Sequence, residues 1–269
     1  MSGPRVTLST GSLWTYGLNR AFEIAQKSGF DAVEVIVDER WDTRQPEYLK
    51  RLSAETRIEI ASLHSPFSAL RGSKGYRACV EETMALADQV GAGTVVVHPE
   101  SSGKRYGTWL VRNWKKLHES HSATLAVENM PYRIVKTQPK HYTHKPEQLL
   151  RFPATTLDTA HFGLAKIDIL EALNTVRPKL RHIHLSDSKK TQEHLCPGDG
   201  TLPLDGFLQG LLDLDFEGIV VLELSPEALP VHDEESVIDR LRGIREACER
   251  VLHSETTEIS TPERVLVAR

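Results

Sequence analysis

The chain has 269 residues, 39% hydrophobic and 26% charged, which is enough apolar material for a sizeable core. Its formal net charge of −4 argues against a protein built chiefly to wrap a nucleic-acid backbone. Cys79, Cys196 and Cys248 lie far apart with no CxxC pair, MSGPRVTLST lacks a signal-peptide pattern, and no apolar run reaches membrane-spanning length, so the chain reads as cytoplasmic, with reduced thiols and no membrane segment.

Val6–Thr10 is predicted as the first strand. Leu18–Ser28 follows as a helix, with Leu18, Ala21, Phe22, Ile24 and Ala25 at helical spacing and Gly29 as its stop. The alternation continues with strand Ala32–Val37, helix Pro46–Glu55, strand Ile58–Leu63, helix Gly75–Val90, strand Thr94–Val97, helix Thr108–Ser120 and strand Thr124–Val127. A long loop, Met130–His144, opens a basic run of Arg133, Lys136, Lys140, His141, His144 and Lys145, suited either to a lid over an anionic substrate or to a solvated loop. Beyond it come helix Pro146–Phe152, strand Thr155–Leu157, helix Ile167–Val176 and a seventh strand, Arg181–Leu185. That strand runs into a polar loop, Ser186–Glu193, then His194 and the turn-forming Pro197-Gly198-Asp199-Gly200. Asp205 is placed to cap a helix reaching Leu214, Ile219–Leu222 is the eighth strand and Asp233–Leu252 the last helix.

Eight strands alternating with helices, with few hairpin signals, predict a parallel α/β chain. Eight repeats in this length predict a single (β/α)8 TIM barrel over residues 1–252, followed by a polar tail, 253–269. The lack of GxGxxG after the first strand argues against an open dinucleotide-binding sheet.

The predicted strands end in a recurring set of side chains. His64, His98, Glu128, Asp158, His184 and Glu223 close strands three to eight; His161 lies three residues beyond Asp158, and His194 in the loop after strand seven. In a barrel all these ends face one mouth, so residues remote in sequence converge there. Imidazoles and carboxylates suit Zn²⁺, Mn²⁺, Co²⁺ or Fe²⁺, and the lack of thiolate ligands argues against a closed structural zinc site. Singly, each has a bland reading: a core histidine, a strand-end cap for Asp158, a buried ion-pair partner for Glu128 or Glu223. Recurrence on six successive strands is what favours a metal at the C-terminal mouth.

The segments SLHSPF (62–67), VVVHPE (95–100), AVENMP (126–131), LDTAHF (157–162), HIHLSD (182–187), HLCPGDG (194–200) and LELSP (222–226) resemble the motif series of the xylose-isomerase-like TIM barrel superfamily. That superfamily includes sugar phosphate isomerases/epimerases and metal-dependent abasic-site endonucleases, and the resemblance covers nearly the whole chain. It implies, for the epimerase branch, one Mn²⁺ or Co²⁺ on Glu128, Asp158, His184 and Glu223, with Glu128 and Glu223 as the catalytic pair. For the endonuclease branch it implies a trinuclear zinc site that adds His64, His98, His161, His194 and an aspartate two residues before the last histidine. Gln192 stands at that position here, leaving Glu193 or Asp187 as substitutes.

The leading expectation is a divalent-metal-dependent sugar or sugar-phosphate isomerase/epimerase working through an enediolate. His161 and Lys189 are expected on substrate hydroxyls. Trp14 and Trp109 are candidates to stack on a sugar or simply to pack, and Glu34, inside strand two, is a candidate to face the barrel interior and orient a ligand or meet substrate, or to be a buried structural carboxylate. The alternatives are a zinc-dependent abasic-site phosphodiester hydrolase and a barrel that merely binds a sugar acid. The resemblance and the apolar Val265-Leu266-Val267 of the tail hint at a homodimer.

Overall fold

Short runs of valine, isoleucine and leucine form eight strands in the computed structural model, which describes residues 3–99, 104–131, 134–135, 138–139 and 143–253. They are β1 (Arg5–Ser9), β2 (Ala32–Ile36), β3 (Glu59–His64), β4 (Thr94–Val97), β5 (Thr124–Glu128), β6 (Thr155–Asp158), β7 (Leu180–Leu185) and β8 (Ile219–Leu222). Neighbours are parallel throughout, the order round the ring follows the chain, and β8 returns to β1 with Val220 opposite Val6. The sheet is therefore a closed barrel, as expected. Around it lie α1 (Leu18–Lys27), α2 (Pro46–Thr56), α3 (Tyr76–Val90), α4 (Lys104–Ser120), α5 (Pro146–Leu149), α6 (Thr159–Leu164), α7 (Ile169–Val176), α8 (Leu204–Asp213) and α9 (Glu234–Leu252). The sharp end of α3 falls on Gly91, whose φ of 80° is left-handed and costs a residue without Cβ little.

Alternate residues of a strand face opposite sides of the sheet. Val6 and Leu8, Val33 and Val35, Ile183 and Leu185 join the apolar layer between barrel and helices, with Phe22, Phe162 and Phe207. The intervening residues point to the barrel axis: Glu34 of β2 reaches His182 and His184 of β7 across the interior, at 3.3 and 3.2 Å. This axial set is small or polar, and Thr7, Ser9, Ser62, Thr156 and His182 are wholly buried within it. No helix among the described residues is long and apolar enough to cross a membrane.

Several expected boundaries move. The polar stretch after β7 is an antiparallel hairpin, Asp187–Lys189 with Gln192–Leu195, rather than a loop. A short helix, α6, begins directly after β6. α7 starts at Ile169, where Asp168 caps it by accepting from the N–H groups of Leu170 and Glu171. Asp205 lies inside the first turn of α8, whose N-cap position is Pro203. Within the expected loop after β5, Ile134–Val135 pairs antiparallel with Gln138–Pro139. Of the basic run, Arg133, Lys136, Lys140 and His141 lie outside the residues whose side chains are described; His144 is buried and Lys145 exposed. The tail beyond His253 also lies outside the described residues.

Asp187 does not serve as a substitute ligand, because its carboxylate is fully engaged by backbone. Oδ1 accepts from the N–H groups of Ser188 and Leu202 at 2.8 and 2.9 Å, and Oδ2 from those of Gly198 and Gly200 at 3.1 and 3.0 Å. The Pro197–Gly200 turn thus wraps around one side chain, so closely that a Cβ on Gly200 would stand 2.2 Å from Oδ1. Asp187→Ala should lower the unfolding free energy by about 1–3 kcal/mol, the usual cost of leaving buried donors without an acceptor. Urea unfolding followed by circular dichroism measures it; an unchanged midpoint would contradict the role given to this carboxylate.

Candidate metal centre

His64, Glu128 and Asp158 occupy the last position of β3, β5 and β6, His184 is second to last in β7, and Glu223 follows directly on β8. Parallel closure turns all of these ends to one mouth. One ligand atom each from Glu128, Asp158, His184 and Glu223 lies within 4.8 Å of the other three. Ligand atoms about 2.0–2.2 Å from a shared zinc stand at most about 4.4 Å apart, and His184 Nδ1 lies within that span of the other three, 2.9 Å from Glu223 Oε2, 3.2 Å from Glu128 Oε1 and 4.0 Å from Asp158 Oδ2.

Glu128 is the hub. Its Oε2 lies 2.8 Å from His98 Nε2 and 3.3 Å from His64 Nε2, and its Oε1 lies 3.2 Å from His184 Nδ1 and 3.3 Å from His161 Nδ1. His184 Nδ1 is also 2.9 Å from Glu223 Oε2. Two flanking trios, His64–His98–Glu128 and Asp158–His161–His194, are as compact as the central four. All eight residues singled out as ligands therefore meet at one mouth. His194 arrives on the hairpin after β7, where its C=O accepts from Ser225 N–H at 2.7 Å and its Nδ1 lies 3.2 Å from the Glu223 carbonyl.

Asp158 has two employments. Its Oδ1 accepts from His161 N–H at 2.6 Å and so caps α6, the bland reading of this residue. Its Oδ2 is buried without a hydrogen-bond partner among the described residues, 4.0 Å from Nδ1 of both His184 and His194. A buried carboxylate oxygen without a donor is costly, and a cation at this point would satisfy it.

The electrostatics are those of crowded, buried, opposite charges. Burial pushes the Glu223 carboxyl upward, but the His184 imidazole outweighs it and holds the group at about 2. Burial likewise opposes charge on Glu128, and His98 and His184 carry it well below the usual carboxylate range. Burial prevails at Asp158, which sits above its ordinary value. His161 is disfavoured as a cation by burial, yet the carboxylates of Asp158 and Glu128 lift it to about 10. The carboxylates demand compensating positive charge, which protonated imidazoles or a divalent cation can supply.

Side chains that the sequence reading passed over hold the mouth together. Asn129 donates from Nδ2 to the Asp158 carbonyl at 2.9 Å and accepts at Oδ1 from Asp158 N–H at 2.7 Å, extending the β5–β6 ladder past its end. Thr159 Oγ1 donates to the Ser186 carbonyl at 2.6 Å and accepts from Ser186 N–H at 3.0 Å. Ser12 Oγ accepts from Leu224 N–H at 2.8 Å. The available signal was a polar residue just past a strand end. Phe67 was also missed: its ring stacks on His98 at 5.0 Å between centroids and meets His64 edge-on at 5.1 Å.

The expected substrate contacts are less gathered. Lys189 is exposed on the hairpin, as is Gln192. Trp14 is 49% exposed beneath the Arg40 guanidinium, 4.4 Å from its ring, and Trp109 packs partly against the core. Glu34 is wholly buried between Ser62, His182 and His184.

Comparisons place this architecture. An uncharacterized protein of Mycobacterium leprae is 32% identical over 253 residues, covering 84% of this chain and 90% of that one. A 3-keto-D-glucoside 4-epimerase from E. coli superposes with a TM-score of 0.71 at 16% identity, covering 90% of this chain and 99% of the other. The IOLI protein, solved with a bound zinc atom, superposes with a TM-score of 0.72 at 19% identity, covering 93% and 100%. The family described as xylose isomerase-like TIM barrel matches residues 22–250, from α1 into α9, and the chain belongs to that family.

Proposed function

We propose that this chain is a divalent-metal-dependent isomerase or epimerase acting on a sugar or sugar phosphate at the barrel mouth. The observation that carries the reading is the closeness of two glutamates, one aspartate and one histidine, each contributing an atom within 4.8 Å of the rest, with the Asp158 Oδ2 left for a cation. The E. coli epimerase and the zinc-bearing IOLI protein, alike in fold, support it from outside the chain.

Glu128, Asp158, His184 and Glu223 would hold the ion; their mixed nitrogen and oxygen donors fit zinc or manganese and also admit cobalt or iron. When bound, such an ion supplies Lewis acidity toward a carbonyl and its neighbouring hydroxyl. Glu128 ends β5 and Glu223 follows β8, three strands away round the ring, so the two carboxylates approach a substrate carbon from different sides. One takes the proton beside the carbonyl, leaving an enediolate, and the other returns a proton to the opposite face or to the neighbouring carbon. His161, at Glu128 and near the mouth, is assigned to a substrate oxygen. Lys189 on the hairpin and Trp14 on the rim are assigned to the far end of the sugar, the lysine to a phosphate where one is present. Phe67, over the His64 and His98 rings, shields the Glu128 side from water.

The two flanking trios favour a second reading, a multinuclear zinc phosphodiesterase of the abasic-site endonuclease type. Against it stand the exposed Gln192 in place of the expected aspartate and the net charge of −4.

Zinc or manganese at about 100 times its dissociation constant should stabilise the protein by about 2.7 kcal/mol, raising Tm by about 5–10 °C. Asp158→Asn should lose most of that rise in differential scanning fluorimetry. No shift in the wild type with any of the four metals would remove the basis of this proposal.

In D₂O, the loaded enzyme should wash deuterium into the carbon beside the carbonyl of its ketose or ketose phosphate. Glu128→Gln and Glu223→Gln should each slow this exchange about 10²–10⁴-fold, the usual weight of a positioned acid or base. NMR over a panel of ketoses and their phosphates reads the exchange. Cleavage of an abasic-site duplex with no exchange into any sugar would transfer the assignment to the second reading.

A further inference from the structure

Glu34, the middle residue of β2, is 0% exposed. It lies outside the group of four just assigned to the cation. Its Oε2 accepts from Ser62 Oγ at 2.9 Å and lies 3.3 Å from His182 Nε2, and Ser62 Oγ is itself 3.2 Å from His182 Nε2. One oxygen of Glu34 is thus fixed by β3 and β7 together. The other, Oε1, lies 3.2 Å from His184 Nε2. Both Oε1 and His184 Nε2 are buried, and neither makes a hydrogen bond among the described residues, so across this 3.2 Å gap each is the nearest group that could satisfy the other.

The His184 ring therefore spans two environments. Its Nε2 edge faces Glu34 below, while its Nδ1 faces Glu223 at 2.9 Å and Glu128 at 3.2 Å above. Both nitrogens thus face carboxylates, which can only accept; a cation held by the upper carboxylates would take the Nδ1 lone pair and leave the ring proton on Nε2, toward Glu34. We infer that Glu34 is a positioning residue that holds His184 in its Nε2–H tautomer, so that His184 meets a divalent cation through Nδ1. Ser62 and His182 orient Glu34 in turn. This arrangement rests on the metal reading above and adds which atom binds and what directs it. Without the Glu34 carboxylate the His184 ring is free to rotate or to exchange tautomers, and the ligand set loses its fixed lone pair.

Glu34, His182 and His184 are themselves compact enough to take a cation, with ligand atoms within 4.8 Å of one another. The Ser62 hydroxyl already donates to this carboxylate, and His184 can serve the upper group with only one nitrogen, which favours the hydrogen bond over a second ion. The experiment separates the two.

The full chain, labelled with ¹⁵N-histidine, is loaded with ¹¹³Cd²⁺ for NMR and with Zn²⁺ for stoichiometry and affinity. The wild type should show cadmium coupling to His184 Nδ1 and a slowly exchanging proton on Nε2. Glu34→Gln should weaken zinc about 10–100-fold and speed exchange of that proton, with the number of zinc ions per chain unchanged. Ser62→Ala, a milder change should Glu34→Gln not fold, should weaken zinc about two- to tenfold. Cadmium coupling to His184 Nε2, unchanged zinc affinity in the variants, or loss of one of two bound zinc ions in Glu34→Gln would each overturn the inference. A wild type that binds neither Zn²⁺ nor Cd²⁺ would instead sink the metal reading on which it stands.

Discussion

A strand shows its side chains alternately to the helices and to the barrel axis, and every property of the mouth depends on this two-residue parity. Along β7, Ile183 and Leu185 enter the apolar layer under the helices while His182 and His184 turn inward. Along β5, Leu125 and Val127 go outward, leaving Ala126 and Glu128 for the interior. A one-residue slip in either strand would bury carboxylate and imidazole against leucine and valine while emptying the mouth of its charge. The apolar layer therefore does more than stabilise: its registry fixes which residues face each other across the axis.

That placement has an energetic cost. Buried carboxylates are tolerated in a low-dielectric interior when each is met by donors or by opposite charge. Glu34 is held well below its ordinary value although burial pushes it upward, because His184 and His182 lie against it. Glu128 stands among four imidazoles. At Asp158 one oxygen serves a helix cap, and the other has no hydrogen-bond partner among the described residues. A buried carboxylate oxygen without a donor is a group that a bound ion or water would satisfy.

Much of this was legible in the sequence, and the reason is the same parity. A strand predicted from valine and isoleucine has a predictable end, and in a closed barrel the ends share one rim, so Glu128, Asp158, His184 and Glu223 could be grouped without any contact being known. What escaped notice was whatever polar side chains do to backbone. The hairpin Asp187–Lys189 with Gln192–Leu195 has the composition of a loop, and its organiser, Asp187, looks like one more acidic residue beside a histidine. Its four backbone partners come from a turn ten or more residues downstream as well as from its neighbour, a pairing that period and composition do not encode. Asn129 and Thr159 escaped for the same reason, since each replaces a strand-to-strand hydrogen bond that only the closed barrel reveals. Glu34 was visible as a candidate but not its partner, because β2 and β7 meet only across the axis.

These replacements explain how a rim built of loops can hold side chains as steadily as a strand. At its C-terminal end the barrel's strands diverge and the backbone ladder runs out, just where the carboxylates and imidazoles have to be positioned. Asn129 ties β5 to β6, Thr159 ties the start of α6 to the end of β7, and Ser12 ties the segment after β1 to Leu224 beyond β8. Each is a donor–acceptor side chain standing in for a missing peptide group, so the ladder continues by about one rung beyond the strands. A site whose donors must sit within a fraction of an ångström of a common point needs this rung, because side chains on free loops would pay the ordering entropy each time they gathered. The polar residues next to the ligand-type residues are in this sense as much part of the centre as the ligand types themselves.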